Sequence, residues 1–155
     1  MNNIKVEIAS PEHINALEDF TRELAEGLGQ KFDPKRFDWG IRRRLFDPLQ
    51  CNGILIVEDK NEPVGMIIVE LRIDPFGMSE GYIKQFFLKE NYRRKDIIQI
   101  LLQKALNHLK KIKVEKVKVN ITKEAFNDSN LYAKMGFIKI YEVFELDLKK
   151  NFAND

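Results

Sequence analysis

Hydrophobic residues along the first part of the chain recur at every second position and then at helical spacing. "IKVEIAS", from residue 4, alternates apolar and polar side chains, which is typical of a strand. The stretch that follows predicts a helix, because Ser10 is a favourable N-cap and Pro11 fits the first turn. A second helix is predicted from Asp33 onward, and Pro48 ends it.

The middle of the chain has two apolar runs joined by the polar string "DKNE". "GILIVEDKNEPVGMIIVELRI" therefore predicts a β-hairpin, with strands near 53–58 and 63–73. After a turn-rich stretch, "YIKQFFLKE" predicts another strand near 81–88, and a long amphipathic helix follows it. The apolar stripe of that helix contains Ile98, Leu101, Ala105, Leu109 and Ile112.

The last part of the chain repeats the order of strand, helix and strand on a smaller scale. "VEKVKVNI" alternates as a strand does, and a short helix is predicted near 127–135. "GFIKIYEVFELDL" predicts a final strand, with apolar and acidic residues on opposite faces. We expect a single domain over residues 1–148 and a frayed tail over residues 149–155.

The order of the predicted elements is β-α-α-β-β-β-α-β-α-β. Strands joined by short connections are expected to be antiparallel, whereas the strand–helix–strand unit at 81–121 is expected to be a right-handed parallel crossover. The sequence therefore predicts an α/β (α+β) fold, with a mixed, mostly antiparallel central sheet and helices on both faces.

Composition narrows the class of protein. The 155 residues are 44% hydrophobic and 32% charged, which is typical of a globular domain. A net charge of +2 gives no field that would favour nucleic acid as a partner. The single cysteine, Cys51, allows no internal disulfide and is interpreted as structural. No apolar run has the length of a signal peptide or a membrane span, so we expect a cytoplasmic protein without a membrane partner.

The turn before the long helix carries the clearest candidate chemistry. Arg93, Arg94 and Lys95 stand together just before Asp96. One interpretation is an anion bound at the helix N-terminus, where free amides and the helix dipole attract negative charge. The other is a solvated basic run, with Asp96 as an acid favoured in the first turn. On these local residues alone we favour the second interpretation.

Two strings, in this order, resemble the GNAT superfamily of acyl-CoA-dependent N-acyltransferases. "YIKQFFLKENYRRKDIIQILLQKAL" is similar to the cofactor motif, in which an aromatic residue and [Q/R]-x-x-G-x-[G/A] open the long helix. "NLYAKMGF" is similar to the second motif, L-Y-x-K-x-G-F. The strongest matches are Tyr92, Arg93, Leu131, Tyr132, Lys134, Gly136 and Phe137.

The resemblance implies acetyl-CoA as the acyl donor, with its pyrophosphate on the amides of this turn. Both glycine positions of the motif differ here, because Asp96 and Ile98 occupy them. With the resemblance included, we favour a cofactor site over a solvated turn. The implied cofactor-binding residues are Phe86, Phe87, Leu88, Arg93, Arg94, Lys95, Asp96, Ile97, Ile98, Asn127 and Asn130.

The resemblance also implies how the reaction runs. A backbone amide among Phe86, Phe87 and Leu88 would polarise the thioester carbonyl, and the amine would attack directly. Tyr132 is the implied general acid, although it could instead pack on the sheet with its hydroxyl at the rim. Glu80 is the candidate general base, and loss of the amine proton to solvent is the alternative.

The first two helices would wall the site of the acceptor. The candidate substrate-binding residues are Phe32, Phe37, Trp39 and Arg43. The run Arg42–Arg44 is otherwise interpreted as a solvated helix face. His13 and His108 lie in different helices without partners at ligand spacing, so no metal site is expected. The expected partner is a small-molecule or protein amine, and the resemblance leaves a homodimer open.

Two functions remain at this point. The first is an N-acetyltransferase that moves an acetyl group from acetyl-CoA to a primary amine within a ternary complex. The second is a non-catalytic module of the same fold that has lost or only weakly retains CoA binding. The missing glycines favour the second function, whereas Tyr132 and the basic turn favour the first.

Overall fold

The computed structural model describes residues 3–121 and 129–152 of the chain. The strands are β1 (Ile4–Ile8), β2 (Ile54–Asp59), β3 (Glu62–Ile73), β4 (Ser79–Leu88) and β5 (Lys116–Val119). The helices are α1 (Ile14–Gly27), α2 (Pro34–Phe46), α3 (Lys95–Lys111), α4 (Ser129–Lys134) and α5 (Leu148–Phe152). Short 3₁₀ turns lie at Pro11–His13, Gln50–Gly53 and Glu90–Tyr92.

The strands form one mixed sheet in the order β1-β2-β3-β4-β5. Neighbours from β1 to β4 are antiparallel, and β5 is parallel to β4. The predicted fold class and the parallel pairing across α3 are therefore confirmed. The β2–β3 hairpin turns at Lys60 and Asn61, which both have positive φ, as a two-residue turn between twisted strands requires.

The sheet buries a hydrophobic core on each face. On one face α3 packs its predicted stripe against β2–β4, and Leu101, Ala105 and Leu109 are fully buried. On the other face α1 and α2 cover a second cluster that includes Leu17 and Phe87. Each fully buried leucine contributes roughly 1.5–3 kcal/mol of transfer free energy. No helix in these described ranges is both long and apolar enough to span a bilayer.

The predicted start of α2 is confirmed. Asp33 is the N-cap, and its carboxylate accepts the amides of Lys35 and Arg36 at 3.1 and 3.3 Å. Pro34 occupies the first helical position, where its missing N–H leaves no donor unsatisfied. Trp39, a candidate substrate-binding residue in this helix, is 64% exposed.

The predicted final strand is wrong for the residues that the structure describes. The stretch 138–147 belongs to no strand, and its apolar side chains face solvent, with Phe144 88% exposed. An alternating sequence allows a segment to form a strand. The strand also needs a neighbour whose backbone N–H and C=O groups can pair with its own. The adjacent edge strand, β5, is only four residues long.

Candidate active site

The site begins where β4 continues beyond its parallel neighbour. Among the described residues β4 and β5 pair from Glu80 to Ile83, whereas β4 runs on to Leu88. The last part of β4 therefore lies beyond the β4–β5 pairing of the described residues. Phe86 packs into the α3 core and Phe87 into the α1–α2 core. These two side chains pack the end of β4 against the helices on both faces of the sheet.

A β-bulge lies just before this end. Ile68 of β3 is opposite Gln85, and the next residue of β3 is opposite Ile83, so Lys84 is the extra residue. A bulge bends its strand and redirects side chains. The Nζ atom of Lys84 lies 3.4 Å from a carboxylate oxygen of Glu70. The bulge therefore places an ion pair at the start of the splayed part of β4.

The turn after β4 is tied back to the sheet by Arg93. Its Nε atom donates a 2.7 Å hydrogen bond to the Leu88 carbonyl, and its guanidinium lies 5.3 Å from the centre of the Phe87 ring. The Tyr92 hydroxyl donates to Asp59 at 2.6 Å, which raises the pKa of Tyr92. The first basic residue of the run thus anchors the turn.

Helix α3 starts with backbone amides that point toward the turn. Arg94 is its N-cap and makes no side-chain cap hydrogen bond, and the amide of Ile98 is bonded to the Arg94 carbonyl. The amides before Ile98 have no acceptor within the helix. Ile97 and Ile98 are buried in the α3 core, so only their backbones face the turn. Asp96 forms an ion pair with Arg94 at 3.0 Å.

A cleft of about 150 Å³ lies between the start of α3 and α4. The residues that line it are Lys95, Gln99, Asn130, Leu131 and Lys134. Two lysines beside a helix N-terminus suit an anionic ligand. Asn130 was a predicted contact and lines this cleft, whereas Asn127 lies outside the described residues. Gln99 and Lys134 were not predicted, although Lys134 belongs to the second motif.

Tyr132 lies in α4 with its ring packed inward. It is 2% exposed and contacts Phe137 edge to face, with 5.4 Å between the ring centres. Burial raises the pKa of Tyr132 to about 12. Gly136, at φ 97°, ends the helix, and the Phe137 amide bonds back to the Tyr132 carbonyl. The glycine of the motif string thus caps the helix that carries Tyr132.

Glu80 lies at the opposite end of β4 from the turn. It is 6% exposed, and its two oxygens contact Arg72 at 3.3 Å and Lys118 at 2.8 Å. The hydrogen bond from Lys118 lowers the pKa of Glu80. Six residues of strand separate it from Phe86, which is roughly 20 Å. This position does not favour Glu80 as a general base, and that role stays a prediction.

The predicted acceptor residues form two separate pairs. Phe32 and Phe37 lie with ring centres 5.7 Å apart, and Arg43 lies 4.6 Å from the centre of the Trp39 ring. Arg44, which was grouped with a solvated basic run, instead donates to the Val69 carbonyl at 3.2 Å. Burial lowers the pKa of Arg44. Arg44 therefore reaches the sheet, whereas Arg43 remains on the surface.

Comparison with known proteins agrees with this geometry. The family model of the Acetyltransferase (GNAT) family matches residues 14–137. A search of curated proteins finds no significant match.

Solved structures share the fold at low sequence identity. A "possible acetyltransferase" from Clostridium difficile 630 aligns with a TM-score of 0.76 at 19% identity, covering 93% of this chain and 97% of that one. A "predicted acetyltransferase with acetyl-CoA" from Clostridium acetobutylicum gives 0.73 at 19% identity, covering 96% and 99%. The ribosomal-protein-alanine N-acetyltransferase of Brucella melitensis biovar Abortus 2308 gives 0.73 at 14% identity, covering 93% and 98%. The family model covers residues 14–137, which is most of the chain, so the chain belongs to the GNAT family of acetyltransferases.

Proposed function

We propose that the protein transfers an acetyl group from acetyl-CoA to the primary amine of an acceptor, by direct attack within a ternary complex. The observation that carries the proposal is the Arg94–Asp96 ion pair at the start of α3. Asp96, which replaces the first glycine of the motif, is the one carboxylate among residues 93–98, and in this pair it contacts a cation. The helix start therefore remains suited to a diphosphate.

The residues present fit the cofactor. Ile98 occupies the second glycine position of the motif, and Ile97 precedes it. The side chains of both are buried, and their backbone amides face the turn. Lys95 and Lys134 line the neighbouring cleft and supply positive charge. We assign the diphosphate to the amides at the start of α3 and the remaining polar groups of CoA to this cleft, with Asn130 and the undescribed Asn127 as further contacts.

Acetyl-CoA supplies the acetyl group as a thioester. We assign its linear arm to the part of β4 beyond the β5 pairing, where an extended ligand can lie beside the strand. A backbone amide between Phe86 and Leu88 would stabilise the oxyanion as the amine attacks. Tyr132 would donate its phenolic proton to the departing sulfur, the amine would lose a proton to solvent, and solvent would return a proton to the Tyr132 phenolate.

The acceptor approaches from the side of α1 and α2. Phe32, Phe37, Trp39 and Arg43 remain the proposed contacts there, with Arg44 added because it reaches the sheet. The class of acceptor extends from small amines to protein amines. A cytoplasmic location fits such acceptors and the free thiol of Cys51.

The burial of Tyr132 favours a second candidate, a module that binds CoA without catalysis. At 2% exposure, the Tyr132 ring meets almost no solvent, and Tyr132 is not among the residues that line the cleft. In this alternative the cofactor is a structural or regulatory ligand.

An acetyl-transfer assay separates the two candidates. Purified protein is incubated with acetyl-CoA and a panel of peptides and small amines, and the products are identified by mass spectrometry. Acetylated product that depends on enzyme supports the acetyltransferase. Saturable acetyl-CoA binding without product from any amine would favour the binding module.

A further inference from the structure

A buried carboxylate holds two cations together on the sheet face below α1 and α2. Arg72 of β3 and Lys118 of β5 flank Glu80 on the strand between them, and each contacts a different oxygen. The Glu80 side chain is 7% exposed, whereas those of Arg72 and Lys118 are 43% and 29% exposed. The negative charge is therefore buried, and the two positive charges face outward.

Tyr82 extends this charged layer toward the active site. Its ring centre lies 5.3 Å from the Arg72 guanidinium carbon and 4.4 Å from the Lys84 Nζ atom. Its hydroxyl lies 3.2 Å from that of Tyr141. A tyrosine between two cations holds both close to its faces. Lys84 in turn contacts Glu70 at 3.4 Å.

The ion pairs of the layer join three cations, Arg72, Lys84 and Lys118, to two carboxylates, Glu70 and Glu80. Asp74 is a further carboxylate near Glu80 and acts on its charge. Among the described residues, the side chain of Arg72 has no acceptor besides Glu80. A guanidinium carries five N–H donors, so the N–H groups of Arg72 that face outward can donate to a further anion.

We propose that Arg72 and Lys118, positioned by Glu80, form an anion subsite for the acceptor, and that this acceptor is an acidic peptide. The proposal rests on the proposed acetyl transfer and adds the class of substrate. Alternating residues place Ile68, Glu70 and Arg72 on one sheet face, and Ile68 packs in the α1–α2 core. The subsite therefore lies on the side from which the acceptor approaches.

The distance along β4 favours a peptide over a small amine. The proposed thioester position near Phe86 is six residues from Glu80, or roughly 20 Å of strand. A free amino acid cannot span that distance. An extended peptide advances about 3.3 Å per residue, so a carboxylate side chain near the fifth residue would reach the subsite when the first residue carries the reacting amine.

The test uses ten-residue peptides whose only amine is at the N-terminus. One glutamate is placed at position 2, 5 or 9, and a glutamine peptide is matched to each. We expect kcat/KM to be about three- to fivefold higher for glutamate than for glutamine at position 5, and equal for the two at position 2. A glutamate-to-glutamine ratio near one at every position would overturn the proposal.

Three variants test whether the preference for glutamate depends on the subsite. Arg72→Gln and Lys118→Met should each lower the position-5 ratio toward one, and each leaves one cation on Glu80. Lys110→Met removes an exposed lysine from the far side of α3 and should retain the ratio. A ratio unchanged in both subsite variants would overturn the proposal.

A parallel panel of small amines, including the polycation spermidine, separates this proposal from the proposed function. Acetylation of small amines but of no peptide overturns only the acidic-peptide substrate. No product from any amine overturns the proposed acetyl transfer itself.

Discussion

The Nη2 atom of Arg94 lies 3.0 Å from the Oδ2 atom of Asp96, at the start of the helix that would receive the cofactor's diphosphate. Both side chains are partly exposed, so solvent weakens the attraction between them. The pair still matters for phosphate binding, because Asp96 occupies a glycine position of the motif. An unpaired carboxylate would repel the phosphates, whereas this one is partly neutralised by its neighbour.

Removal of that carboxylate should strengthen cofactor binding. In Asp96→Asn the side chain keeps its size, and Arg94 becomes available to the ligand. We expect the Kd for acetyl-CoA to fall by about two- to fivefold, as measured by calorimetry. Glu23→Gln, on the exposed surface of α1, is the matched control and should leave the Kd unchanged. An unchanged Kd in Asp96→Asn would show that this residue is remote from the phosphates.

Removal of the Tyr132 hydroxyl should slow turnover without loss of binding. Phenylalanine retains the ring contact with Phe137 and lacks the phenolic proton. We expect kcat to fall by roughly a hundredfold, which is the lower range for a lost general acid, while the Kd for acetyl-CoA stays within about twofold. Steady-state kinetics and calorimetry measure the two quantities. Full turnover by Tyr132→Phe would exclude the general-acid role.

The same tyrosine should make the fold sensitive to strong alkali. Its pKa is about 12 in the folded protein, against about 10 when unfolded. The unfolded chain therefore releases this proton first as the pH rises. The stability that the phenol contributes is complete below pH 10 and lost between about pH 10 and 12, in total roughly 3 kcal/mol.

Urea unfolding at about pH 9 and about pH 11 tests this dependence. The decrease in unfolding free energy from about pH 9 to about pH 11 should be smaller in Tyr132→Phe than in the wild type. Equal losses would mean that the Tyr132 hydroxyl is solvated in the folded protein.

Gly65 should tolerate no side chain beside the end of β4. A Cβ atom there would lie 2.4 Å from the Phe87 carbonyl oxygen and 2.7 Å from a Leu88 methyl group. We expect Gly65→Ala to lower the free energy of unfolding by about 1–3 kcal/mol or more, and to weaken acetyl-CoA binding, because the strands must separate. Gly40→Ala in α2 meets no atom within 4 Å and should instead stabilise by up to about 1 kcal/mol. Similar stability of both variants would contradict the close packing.

Local sequence signals were sufficient for most of the fold. The cap at Asp33 and the stripe that includes Leu101 and Leu109 depend on residues a few positions apart, so the sequence predicted them. The parallel crossover followed from element order alone. The segment 138–147 was mispredicted because its alternation has no neighbour to pair with in the described structure.

The site was less predictable because its contacts cross strands. Glu80 meets Arg72 and Lys118 only through the register of three strands, which sequence spacing does not show. The resemblance implied Glu80 as a base, yet Glu80 lies at the end of β4 that is far from the turn. The Arg94–Asp96 pair was within reach of sequence reasoning, because both residues stand in one string.

Calorimetric titration of the purified protein with acetyl-CoA tests the central claim most directly, namely that the start of α3 binds a diphosphate despite Asp96. We predict saturable one-site binding with a Kd below about 1 mM, which corresponds to at least ~4 kcal/mol of binding free energy. Absence of binding heat at millimolar ligand, at two temperatures, would contradict the account.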